Sequence, residues 1–96
     1  MSDRGSGRTT RQLAALPDGA LYLVPHQPMA RYCGHLLEAA GRKHDAVRII
    51  AIGDAGLAER RLRGTRRGTV WDIDHAFLEA GGSYEAIRVA RLILDR

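Results

Sequence analysis

Two short apolar runs, Ala20-Leu21-Tyr22-Leu23-Val24 and Ala46-Val47-Arg48-Ile49-Ile50-Ala51-Ile52, flank one amphipathic stripe, and this pairing constrains the chain most. A run without polar alternation suits a strand covered on both faces, which is the situation inside a parallel sheet. Between the runs, Met29, Tyr32, Cys33, Leu36, Leu37 and Ala40 recur at the spacing of one helical face. Gln27-Pro28 opens that helix, since proline at the first helical position forfeits no hydrogen bond, and Gly41 closes it. Asp18-Gly19 supplies a turn before the first strand and Pro25 ends it. The unit is strand, helix, strand.

The pattern repeats along the remainder. Asp54 after Gly53 is an expected N-cap for a shorter helix reaching about Leu62, with Gly64 as its stop. Thr69-Val70-Trp71-Asp72-Ile73 reads as a third, more polar strand. Gly81-Gly82 breaks the chain, Ser83 caps, and residues 84–94 form a last helix. Its apolar residues occupy much of the circumference, so it is expected to be mostly buried, against the sheet or another chain. Connections of a few residues between alternating elements predict an α/β fold: a small three-stranded parallel sheet in βαβαβα order with right-handed crossovers, a Rossmann-like or P-loop-like half domain. The edges of such a sheet need cover, so homo-oligomers through the last helix or a sheet edge are expected. Residues 1–12 read as a flexible basic tail and 13–96 as one domain.

Apolar residues make up 45% of the chain and charged ones 27%, which is too apolar for a chain disordered throughout. No apolar run approaches the ~20 residues of a membrane span, and the amino terminus lacks the apolar core of a signal peptide. Cys33 is the only cysteine, so an internal disulfide is excluded and a reducing, cytoplasmic setting is expected.

In open parallel sheets ligands bind at the carboxyl ends of strands. That end would collect His26, Asp54, Asp74 and His75, two imidazoles and two carboxylates that suit a metal ion or acid–base work. The same residues are equally explained as a helix cap and solvated strand ends. No glycine-rich phosphate loop is present. Cys33 and His35 lie two apart on a helix, where side chains diverge by about 200°, so they cannot share an ion. Cys33 belongs to the apolar stripe and reads as core.

Charge is distributed unevenly. Residues 59–68 hold five arginines (Arg60, Arg61, Arg63, Arg66, Arg67) against one glutamate, whereas the other ten basic and ten acidic residues cancel. Cations at a helix carboxyl terminus are stabilising there, which accounts for part of the segment. Phosphate contacts with nucleic acid, or an acidic protein surface, would account for the rest. No aromatic side chain is interleaved, so base stacking is not indicated.

Two segments carry a family resemblance. Leu23-Val24-Pro25-His26-Gln27-Pro28-Met29-Ala30-Arg31 resembles the motif after the second strand of helicase-type P-loop ATPases, and Val70-Trp71-Asp72-Ile73-Asp74-His75-Ala76-Phe77 resembles their Walker B strand. The resemblance implies Asp74 in place of the magnesium-coordinating aspartate and His75 in place of the glutamate that polarises water. The phosphate loop with its lysine is absent, and phosphoryl transfer depends on cradled phosphates, metal and positioned water. What is implied is a P-loop core fragment without Walker A, of the kind seen as small phage or mobile-element proteins. The expected function is a non-catalytic interaction module, with no cofactor, binding a protein or nucleic acid through the arginine segment. The alternative is a small enzyme or metal-binding protein using His26, Asp54, Asp74 and His75.

Overall fold

A computed structural model describes residues 7–95 of the chain. Three strands, β1 (Leu21–Val24), β2 (Arg48–Ala51) and β3 (Trp71–Ile73), alternate with four helices, α1 (Arg8–Ala14), α2 (Gln27–Ala39), α3 (Ala55–Leu62) and α4 (Tyr84–Leu94). All pairing is parallel, in the order β2-β1-β3. Leu21 faces Arg48 on one side and Trp71 on the other.

The central place of β1 follows from its composition, because it alone is apolar at every position and all four residues are fully buried. Its side chains alternate between two cores. Tyr22 and Val24 meet Leu13, Leu16, Met29, Cys33 and Leu37 of the α1–α2 layer. Leu21 and Leu23 meet Ala58, Leu62, Phe77, Ile87, Ala90 and Leu94, mostly from α3 and α4. The result is a three-layer α/β/α sandwich.

The stripe of α2 buries Met29, Cys33 and Leu37, leaves Tyr32 and Leu36 half-buried, and reaches solvent at Ala40. Each cap is local. His26 Nδ1 accepts the Met29 N–H, Asp54 Oδ1 accepts from Leu57, and Ser83 Oγ accepts from Ala86. Gly41 and Gly64 adopt the left-handed conformation after α2 and α3 (φ 80° and 86°) that their lack of a Cβ permits.

Two expectations are corrected. Residues 8–12, expected in a flexible tail, belong to α1, while residues 1–6 lie outside the described residues. Thr9 and Leu13 are buried, and Arg42 holds the helix from outside by donating to the carbonyls of Leu13 and Leu16 (both 3.1 Å) and to Asp18 (2.6 Å). The chain order therefore gains a leading helix over the expected βαβαβα. The last helix is not mostly buried: Ala86, Ile87, Ala90 and Leu94 face the core, whereas Tyr84 and Leu92 are 68% and 72% exposed. Among the described residues no helix is long and apolar enough to cross a membrane.

Candidate functional site

Parallel strands place the loops after β1, β2 and β3 at one end of the sheet. The chain steps outward from β1 to β2 and then returns past β1 to β3, so the strand order reverses at β1. The crevice of an open α/β sheet lies at such a switch point, here between the carboxyl ends of β1 and β3. Helix α1 fills it. The Thr9 hydroxyl donates to Asp74 Oδ1 (2.9 Å) and lies 3.1 Å from His75 Nε2. The Tyr22 hydroxyl donates to the same Asp74 oxygen (2.5 Å), and the Ala76 N–H donates to Oδ2 (3.0 Å). The Gln12 amide donates to Asp72 Oδ2 (3.0 Å) and the Ile73 carbonyl (2.9 Å). Its oxygen accepts the His75 N–H (2.9 Å) and faces the Tyr22 hydroxyl at the same distance.

This network is closed. Thr9, Tyr22 and Asp74 are 4%, 0% and 2% exposed, and among the described residues every buried side-chain polar atom has a partner. Burial, together with the hydrogen bond to Asp74, pushes the Tyr22 phenol far above its ordinary range. Burial also pushes the Cys33 thiol up to about 12, with the Asp74 charge adding to the effect. Neither group ionises near neutral pH, so neither is an activated nucleophile. At the β1–β2 side the loops approach closely, since a Cβ on Gly53 would sit 3.3 Å from the Pro25 carbonyl.

The four strand-end residues are therefore divided. Asp74 and His75 meet through Thr9, whereas His26 and Asp54 cap α2 and α3 respectively. Among the described residues no three His, Cys, Asp or Glu side chains cluster closely enough to hold a metal. Asp74 does not fit the magnesium ligand that the ATPase resemblance implies, because both its oxygens already accept protein donors and water is excluded. Thr9, Gln12 and Tyr22, which organise this end of the sheet, have no sequence signature beyond the Leu13–Leu16 spacing of a very short helix.

The arginine segment occupies the opposite end. Helix α3 leaves the carboxyl end of β2 and runs back to the start of β3, so its last turn and the following loop lie beside the strand amino termini. All five arginines are exposed, but they are not equivalent. Arg61 donates to the Ala51 carbonyl (2.8 Å), tying α3 to β2, and Arg63 forms an ion pair with Glu59 one turn back. Arg60, Arg66 and Arg67 engage no acceptor among the described residues.

The loop itself is two consecutive turns of the same kind. In Leu62-Arg63-Gly64-Thr65, Arg63 (φ −59°, ψ 133°) precedes Gly64 (φ 86°), and the Thr65 N–H donates to the Leu62 carbonyl (3.1 Å). In Arg66-Arg67-Gly68-Thr69, Gly68 has φ 81° and the Thr69 N–H donates to the Arg66 carbonyl (3.3 Å), with the Thr69 hydroxyl on the same oxygen (2.7 Å). Positive φ at the third position and a bond from fourth to first define type II turns, with arginine at the second position of each. The signal was legible as the repeated Arg-Gly-Thr in the sequence.

No family model matches the chain, nor does any curated protein or solved structure. The class defined by the fold is thus a small α/β/α sandwich with a filled switch point and an arginine loop at the far end.

Proposed function

We propose that the chain is a non-catalytic interaction module that engages a protein or nucleic-acid partner through residues 59–68. One observation carries the reading: the strongest local excess of charge in the sequence lies in the last turn of α3 and the two hydrogen-bonded turns after it, and Arg60, Arg66 and Arg67 there have no acceptor among the described residues. Long cationic side chains held without a counter-charge are poised to take one from a partner. The alternative enzyme reading receives less support, because the switch-point crevice is occupied by α1 and its carboxylate is saturated. The test is a pull-down from the native host with wild type and with the triple variant Arg63→Ser, Arg66→Ser, Arg67→Ser. Partner recovery falling at least tenfold in a folded variant supports the reading, and undiminished recovery rejects it.

A further inference from the structure

We propose that the tandem turns form a clamp for the sugar–phosphate backbone of a nucleic-acid duplex, an inference that rests on the interaction-module reading and names its partner. Arg63 and Arg67 take corresponding positions in consecutive four-residue turns, and Arg60 and Arg66 flank them. A binder of one isolated carboxylate needs one cation. Two copies of an arginine-bearing turn suit a ligand that itself repeats, and a phosphodiester backbone repeats one negative charge per nucleotide. The side-chain type agrees: of the chain's fifteen basic residues Lys43 is the single lysine, and the planar guanidinium is the group that matches phosphate oxygens two at a time.

The surroundings select a duplex over a single strand. Single-strand binders add aromatic platforms on which bases stack. Residues 59–68 contain no aromatic side chain. The nearest in sequence, Trp71, is half-buried in β3 with its indole N–H donating to Asp95 (2.9 Å). Tyr84 is exposed, but it begins α4 at the other end of the sheet. Nor do the two turns form a helix or strand that would enter a groove and carry side chains to base edges. The segment's side chains are the five arginines, the buried Leu62 and Thr65, and one ion-paired glutamate. The clamp therefore positions the protein on a duplex without reading sequence.

Arg63 leaves its partner easily, because the Glu59 pair is exposed on both sides and such pairs are weak in water. Arg61 is excluded from the clamp by its bond to Ala51.

The experiment titrates the full chain against fluorescently labelled duplex DNA of two unrelated sequences, between 50 and 200 mM salt, with labelled polyglutamate as a parallel probe. Four phosphate contacts predict equal affinity for both duplexes and a slope of log K against log salt of about −3.6, or roughly a hundredfold loss over that range. The double variant Arg66→Ser, Arg67→Ser should flatten the slope by about 2 while its circular dichroism stays that of wild type. Arg31→Ser with Arg88→Ser removes the same charge elsewhere and should leave the slope within about half a unit of wild type. A slope unchanged by the loop variant, or flattened equally by the control, overturns the clamp. Polyglutamate bound through the same arginines with no duplex binding also overturns it, but leaves the interaction module standing with an acidic protein as partner. No binding to either probe, together with undiminished partner recovery by the triple loop variant, removes both.

Discussion

Replacing Asp74 with alanine distinguishes a structural carboxylate from a catalytic one by the sign of the stability change. Asp74 is 2% exposed and accepts from Tyr22, Thr9 and the Ala76 N–H. In Asp74→Ala the Tyr22 proton can turn to Gln12 Oε1 at 2.9 Å and the Thr9 proton to His75 Nε2 at 3.1 Å. Only the Ala76 N–H is orphaned. Hydrogen bonds to a charged acceptor contribute ~1.5–3 kcal/mol each and an orphaned buried donor costs ~1–3, so with two of the three donors satisfied again the net loss is ~2–4 kcal/mol. A domain of this size has a total stability of only ~5–14 kcal/mol. Urea unfolding followed by the fluorescence of Trp71, the single tryptophan, should show the midpoint falling by roughly 2 M. Asp74→Asn should recover part of the loss, because its oxygen can accept the Ala76 N–H while its NH2 donates to the Tyr22 and Thr9 hydroxyls, whose own protons turn to Gln12 and His75. A carboxylate kept for chemistry behaves oppositely, since removing strained or under-solvated functional groups tends to stabilise a fold. An Asp74→Ala variant as stable as wild type, or more so, refutes the account of the switch point as a closed structural network.

Other perturbations probe the remaining elements. Gly82→Ala should lower the melting temperature by several degrees (~1–3 kcal/mol), because a Cβ there collides with the ring and carbonyl of buried Phe77; an unchanged melting temperature would mean the segment shifts freely. Leu37→Ala should cost ~2–5 kcal/mol in urea unfolding and half-buried Leu36→Ala clearly less; equal losses would misplace the face of α2. Because burial raises the folded Cys33 thiol from 9.0 to about 12, its contribution is intact below pH 9 and lost as pH climbs toward 12. Stability should fall there by up to ~1.4 kcal/mol per pH unit, less steeply in Cys33→Ala, and an identical slope in that variant would count against the burial. Arg61→Ala should self-associate more strongly than wild type in sedimentation, since it uncovers the Ala51 carbonyl on the sheet edge; identical sedimentation would show that the edge is protected otherwise.

Elements with internal periodicity were legible. Two apolar strands, the α2 stripe, and the caps at Asp54 and Ser83 are local signals, each decided by residues within a few positions. Helix α1 was not, because its seven residues lack a side-chain N-cap and a first-turn acid, and it is held by Arg42, 29 residues away from Leu13. Tertiary contacts override weak local preference in so short a helix. The candidate site failed for the same reason. Asp74 and His75 could be named from their place after β3, but what they do depends on Thr9, 65 and 66 positions away. The arginine segment was legible as charge, whereas its division into a structural arginine and free ones depends on which carbonyl each side chain reaches.

That division follows from the edges of the sheet. In a parallel ladder, alternate residues point both backbone groups at one neighbour. Arg48 and Ile52 donate to β1, so Ile49 and Ala51 turn outward on the β2 edge; on the other side Leu21 donates to the Val70 carbonyl and Asp74 donates to Leu23, so Ile73 turns outward on the β3 edge. Side chains meet these outward groups. Gln12 takes the Ile73 carbonyl, Asp72 takes the Ile73 N–H, and Arg61 takes the Ala51 carbonyl. Open edges invite another chain to add a strand, and blunting them leaves loops and helix ends to receive a partner. The strand carboxyl ends are closed by α1, which leaves the strand amino termini, where Arg60, Arg63, Arg66 and Arg67 stand free of the fold's own hydrogen-bond needs apart from the Glu59 pair. If the proposed interaction-module reading holds, substitutions along this ten-residue segment should sort in two: Arg61 through the integrity of the β2 edge, the other four through the charge offered to a partner.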